Sequence, residues 1–147
     1  MTLHLHNSTF ARSGSACRRA MVVLAALAVG GCATVKPEPP ELQVRQLATQ
    51  RWQALLAGDF DKAYAMSTPA YRLIHSPEAY KAKRQATPVK WLAAEVFRVE
   101  CQKSSCTATI KIQSKPVVPI AFKGVIESGI DETWVNEDGH WWMHEAL

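Results

Sequence analysis

The hydrophobic period changes once, at Pro88, and that change limits the folds open to this chain more than any other feature. Upstream, Val44, Leu47, Ala48, Trp52, Leu55 and Leu56 recur at i, i+3, i+4 spacing and make one apolar stripe of a helix that starts near Glu41. Gly58 stands where a left-handed cap ends such a helix, and Asp59 can cap a second, short one carrying Phe60, Ala63 and Tyr64. Thr68-Pro69 and Ser76-Pro77-Glu78 each place a capping hydroxyl before a proline at the first helical position. Helices therefore fill residues 41–85. Downstream the period is two. Trp91, Ala93, Glu95, Phe97, Val99 and Cys101 alternate with Leu92, Ala94, Val96, Arg98 and Glu100, and Cys106, Ala108, Ile110 and Ile112 alternate with polar residues. A further strand is expected over about 120–127. A closing hairpin runs from Asp131–Asn136 through Glu137-Asp138-Gly139 to His140–Glu145. With every helix before every strand, crossover units and a parallel sheet are excluded. The fold class is α+β, with N-terminal helices packed on an antiparallel sheet.

Residues 1–31 stand apart from this pattern. They carry no acid, end their basic part in Arg18-Arg19, and continue through the ten apolar residues Ala20–Val29. Ten helical residues span roughly 15 Å, half a bilayer core, so the run is the apolar segment of an export signal and not a membrane span. Arg18-Arg19 also has the look of a twin-arginine signal, but its flanks match that pattern poorly and general secretion fits better. The run Val29-Gly30-Gly31-Cys32 resembles the bacterial lipobox, which implies a lipid-modified Cys32. Two or more acyl chains, each adding about 0.8 kcal/mol per buried methylene, make a stable anchor. Ala33 in place of aspartate then implies sorting to the outer membrane, facing the periplasm. Residues 32–40 include Pro37, Pro39 and Pro40 and read as a semi-extended tether of roughly 25 Å. Three units follow: a signal peptide (1–31), a lipidated cysteine with its tether (32–40), and an α+β domain (41–147).

The leader also accounts for the charge. The whole chain has 17 basic and 13 acidic residues, a formal +4, but Arg12, Arg18 and Arg19 lie in the leader, and without them the balance is 14 to 13. A nucleic-acid partner is excluded on that count. In an exported chain, Cys101 and Cys106 are expected to form a disulfide across the first hairpin turn. They lack the Cys-x-x-Cys helix-start geometry of a reactive dithiol.

Several strings point to a family. Arg51-Trp52-Gln53-Ala54-Leu55-Leu56-Ala57-Gly58-Asp59-Phe60-Asp61-Lys62-Ala63-Tyr64 resembles the opening helices of nuclear transport factor 2-like domains. Ser67-Thr68-Pro69-Ala70-Tyr71-Arg72 fits the same helical cap, and Trp134-Val135-Asn136-Glu137-Asp138-Gly139-His140-Trp141-Trp142 resembles the last hairpin of that fold. The resemblance implies a strongly curved sheet wrapped around the long helix, leaving a conical cavity. Members of this group include isomerases, dehydratases and cyclases as well as proteins that only bind or assemble.

The residues expected to line such a cavity are Trp52, Tyr64, Trp91, Glu95, Phe97 and Trp134. Glu95 is the sharpest of these: strict alternation puts it on a face with Trp91, Phe97 and Val99, where burial would raise its pKa. A bulge or an edge position would instead release it to solvent. Asp59 and Asp61 are accounted for by capping a helix start. His140, Trp142 and His144 share a strand face, but histidines four apart on a strand lie roughly 13 Å apart, too far to share a metal. His75 reads as a helix-end polar contact, and Lys81, Lys83, Arg84 and Lys90 as a solvated basic face. No phosphate loop, serine-nucleophile motif or zinc spacing is present.

The sequence thus leads to a non-enzymatic outer-membrane lipoprotein, attached to the membrane through its lipid. Its domain binds an apolar small ligand or an envelope protein and needs no cofactor or metal. The alternative is a small isomerase- or cyclase-like enzyme using a carboxylate in the cone. The anchor has a direct test. Cys32→Ser is expected to abolish incorporation of labelled palmitate and release the protein from the outer-membrane fraction; unchanged labelling and fractionation would remove the anchor.

Overall fold

A computed structural model of the chain describes residues 37–117 and 124–146. The leader, Cys32, the first part of the tether and the first residues of the strand expected over 120–127 lie outside the described residues. Among the described residues four helices come first: α1 (Pro40–Ala57), α2 (Phe60–Ala65), α3 (Pro69–Ile74) and α4 (Pro77–Gln85). Four strands follow: β1 (Val89–Gln102), β2 (Ser105–Pro116), β3 (Ile126–Glu137) and β4 (His140–Met143). They form one antiparallel sheet in the order β1-β2-β3-β4, curled into a half-barrel around the helices. The architecture is the expected α+β one.

The helix boundaries follow local chemistry. Gly58 closes α1 in the left-handed region at φ 76°, where a side chain would be strained. Asp59 accepts a hydrogen bond from the backbone N–H of Lys62, Thr68 from that of Tyr71, and Ser76 from that of Ala79, so each short helix has its N-terminal cap. The buried face of α1 comprises Val44, Ala48, Arg51, Trp52, Ala54 and Leu55. Leu56, expected on the apolar stripe, is exposed, because the stripe is centred on Arg51 and leaves Leu56 at its margin. This face packs mainly against β1.

Strand β1 departs from strict alternation, and this shapes the sheet. Its register with β2 slips between Trp91 and Ala93 and again between Val96 and Arg98. Trp91, Val99 and Cys101 keep the inward phase, while between the two slips the inward residues are Ala94 and Val96. Each bulge bends its strand and sharpens the twist, which curls the sheet over α1. Arg45 of α1 donates to the Val96 carbonyl at 2.6 Å, beside the second bulge. Strand β2 shows the clean alternation read from its sequence, with Cys106, Ala108, Ile110 and Ile112 all buried.

The expected break between a strand near 120–127 and the closing hairpin is absent. Residues 126–137 form one strand, with Gly129 opposite Lys111 inside a continuous ladder to β2. A paired glycine within a strand weakens it but does not end it when the ladder continues on both sides. Cys101 and Cys106 pair across the β1–β2 hairpin at disulfide-bonding distance, their Cα atoms 4.0 Å apart. Because the closed loop is short, replacing both cysteines with alanine is expected to lower stability by about 2 kcal/mol in urea unfolding under oxidising conditions. Under reducing conditions the difference should largely disappear.

Candidate functional site

A cavity of about 260 Å³ lies between α1, α4 and the inner face of the sheet. Trp52 and Leu55 of α1, Trp91 of β1, Ile112 of β2 and Ile130 of β3 supply its apolar wall. Trp52 and Trp91 meet edge to face with ring centroids 5.3 Å apart. Ser128 and Ile130 point to the inner face yet stay exposed, Ile130 by 40%, so the cavity reaches solvent along this part of β3.

Its floor is charged. Arg51 is 1% exposed and Glu132 2%. The Arg51 Nη1 group donates to Glu132 Oε1, and its Nη2 donates to Glu145 Oε1 at 2.8 Å. Arg84 of α4 reaches the same carboxylate, its Nη2 lying 2.5 Å from Glu145 Oε1 and 2.6 Å from Oε2. The Trp52 indole N–H donates to Glu132 Oε1 at 2.9 Å. The Tyr80 hydroxyl is 3.4 Å from Arg51 Nη2, and the Arg84 guanidinium stacks 4.8 Å above the Tyr80 ring. The Trp134 indole leans toward Glu132 and favours its ionised form, but neither it nor Glu132 Oε2 completes a hydrogen bond.

These contacts set the protonation of the two carboxyls in opposite directions. Burial raises the Glu132 pKa, and the attraction of Arg51 offsets this only in part. Burial also acts to raise Glu145, but Arg51 and Arg84 together outweigh it and the net shift is downward. Arg51 loses by burial and regains more from Glu132, Tyr80 and Glu145, so its net shift is upward. The cluster joins α1, α4, β3 and the residues after β4. Removing one partner of such a buried pair typically costs about 3–5 kcal/mol, since the other charge is left unanswered.

The structure places the expected cavity residues in four groups. Trp52 and Trp91 line the cavity. Trp134 is fully buried in the core beside Glu132. Tyr64 is half-buried and serves the helical cap, donating to the carbonyls of Arg72 and His75 at 3.1 and 2.7 Å. Glu95 and Phe97 do not line the cavity: Phe97 is a correction, and for Glu95 the bulge alternative to cavity lining holds. Both are exposed on the outer face of the sheet, because the two bulges in β1 invert the alternation between them. There they border a wider groove of about 660 Å³, with the Lys111 ammonium 3.7 Å from the centre of the Phe97 ring. The groove lining contains no buried charged group.

Other residues are also placed. His75 ends α3 against the Tyr71 ring. Trp141 is buried, while Trp142 is half-buried between His140 and the Arg72 guanidinium. Lys81, Lys83 and Lys90 are exposed, but Arg84 leaves the basic face to enter the cluster.

Arg51, Glu132 and Glu145 were not singled out from the sequence, although signals were there. Arg51 lies seven residues from Val44 and four from Leu55, on the stripe itself, and Glu132 is two residues from Trp134 on one strand face. Glu145 continues the alternation of Trp141 and Met143 within the expected strand His140–Glu145, although the observed strand ends at Met143.

No known protein family and no curated protein matches the chain. Solved structures do resemble it. A SEC-C motif-containing protein from Psychrobacter arcticus superposes with a TM-score of 0.55 at 16% identity, over 69% of this chain and 58% of that one. Another from Rhodopseudomonas palustris gives 0.53 at 16% identity, over 67% and 73%. A putative dehydratase of the NTF2-like family from Streptomyces avermitilis gives 0.47 at 14% identity, over 70% and 92%, too low a score to carry an argument. The first two establish a shared fold and nothing of function.

The opposed shifts give a test of the floor. Glu145, with its folded pKa held below the ordinary 4.5, adds stability that is present above that value and lost as pH falls through the folded pKa. Glu132 has the opposite sign: its ionised form is the strained one, and acid relieves it. Glu145→Gln is therefore expected to flatten the acid limb of the stability curve below pH 4.5, measured by urea unfolding across pH. An unaltered limb would show that Glu145 is not held by the two arginines in solution.

Proposed function

We propose that the chain is a bacterial envelope lipoprotein whose nuclear transport factor 2-like domain binds a small, largely apolar molecule and does not catalyse a reaction. The leader, the run Val29-Gly30-Gly31-Cys32 and the proline-rich tether support acylation at Cys32, with Ala33 directing the protein to the periplasmic face of the outer membrane. Among the described residues no helix is long and apolar enough to cross a membrane, so a lipid is the attachment the sequence supports. The cysteine pair at the first hairpin suits an oxidising compartment.

One observation carries the binding function: both carboxylates at the cavity floor are already answered by arginines. A general base must be free to take a proton from a substrate within hydrogen-bond reach. Glu132 is engaged by Arg51 and Trp52, and Glu145 by Arg51 and Arg84. The apolar wall and the exposed Ile130 suit a small ligand entering the cone.

A second reading, a small isomerase- or cyclase-like enzyme, is favoured by the raised pKa of Glu132 and by its Oε2, which has no hydrogen-bond partner. It requires Glu132 to take a proton while its other oxygen stays against Arg51 and Trp52.

The binding function predicts that benzyl alcohol, a neutral probe that fits the cavity, changes the fluorescence of Trp52 and Trp91 in a saturable way. Ile130→Trp fills the entrance and is expected to weaken this binding about ten-fold or more, equivalent to ~1.4 kcal/mol. No saturable response from the wild-type protein would overturn the ligand-binding reading.

A further inference from the structure

Two arginines at the cavity floor converge on one buried carboxylate. Arg51 and Arg84 come from different helices and converge on the Glu145 side chain at 2.5–2.8 Å. Arg51 is already paired with Glu132. Each arginine also retains an Nε–H that is buried and has no hydrogen-bond partner. A carboxylate not tied to the backbone after β4 can seat between the two guanidinium groups so as to take these Nε–H donors as well.

Glu145 itself is weakly held by the fold. It lies beyond β4, in residues 144–146 with no regular secondary structure. Among the described residues, the backbone contact that holds this segment is the N–H of His144 donating to the Thr133 carbonyl at 2.8 Å. The carboxylate that completes the floor is thus the most easily withdrawn member of the cluster. Glu132 sits in the middle of a strand paired to β2 and cannot leave without breaking the sheet.

We propose that Arg51 and Arg84 form a carboxylate-binding site, which Glu145 occupies as an internal stand-in, and that the ligand is a small monocarboxylic acid with an apolar body. The acid group replaces Glu145 on the two arginines, and the apolar body lies against Trp52, Trp91 and Ile130. Charge balances in the exchange. With Glu145 in place the four groups sum to zero. When it swings out to water, an incoming carboxylate restores the same sum, so no buried charge is left unanswered. The volume of about 260 Å³ suits a ring or a short chain and is too small for a long acyl chain.

This inference rests on the ligand-binding reading, and the experiment separates the two. The full chain, purified in detergent from bacterial membranes, is titrated with benzoate and with benzyl alcohol by calorimetry, as wild type, as Glu145→Gln and as Glu145→Gln/Arg84→Met. Removing the internal competitor is expected to tighten benzoate binding about ten-fold or more relative to benzyl alcohol measured on the same variant. Adding Arg84→Met is expected to cancel the benzoate gain. Benzyl alcohol bound, with benzoate no tighter relative to it in Glu145→Gln than in the wild type, would overturn the carboxylate site and leave the cavity as a neutral one. Binding of neither probe by any variant would overturn both readings. Should Glu145→Gln not fold unaided, benzoate in the folding buffer is expected to restore the folded state and benzyl alcohol is not. Rescue by neither, or equally by both, would overturn the inference.

Discussion

Arg51 is the constraint around which the domain is organised. Its guanidinium is buried at the centre of the molecule, where an unpaired charge would cost several kcal/mol. Four segments are therefore obliged to meet there. The long helix α1 supplies the charge, β3 supplies Glu132, the segment after β4 supplies Glu145, and α4 adds Tyr80 and Arg84. Buried ionic groups add little net stability over an apolar core of the same shape, but they penalise every arrangement that separates them. In this fold that penalty ties α4, which Tyr80 also packs into the core, and residues 144–146 to the same point.

The curl of the sheet is the second determinant. It arises from two local slips in β1, each adding one residue that the partner strand cannot match. The slips bend the sheet over α1 and open the space between helix and strands. They also turn Glu95 and Phe97 outward and leave Val96 and Ala94 facing the helix. The cavity and the exposure of Glu95 therefore have one cause. The acidic residues that line the cavity are Asp131 and Glu132, on a strand whose ladder to β2 is unbroken, and Glu145 beyond β4.

Function in such a domain depends on what the floor of the cone does with its charges. A carboxylate free to accept protons would make the cone a reaction vessel; a carboxylate held by arginine makes it a receptor. The proposed receptor role rests on the apolar wall and the compensated floor, and the proposed lipid at Cys32 would hold it at a membrane surface. The groove on the outer face is larger, but it offers one lysine over one phenylalanine and no desolvated polar group to confer selectivity.

Much of this was legible in the residues themselves. Periodicity, capping hydroxyls, helix-start prolines and Gly58 determined where the helices run, because these depend on neighbours within one turn. Alternation in β2 and the Cys101/Cys106 spacing likewise specified the first hairpin. The lipobox-like run is a purely local pattern and needs no fold to be read. What lay beyond the sequence were the relations between distant segments. A register slip is settled by how a strand fits its partner, so alternation alone put Glu95 on the cavity face and only the fold could show the bulge that releases it. A buried arginine on an apolar stripe looks like a solvated residue until its partners, 81 and 94 positions away, are brought against it. Only the closed fold removes water from those charges, and the loss of water makes Arg51, Glu132, Glu145 and Arg84 a site.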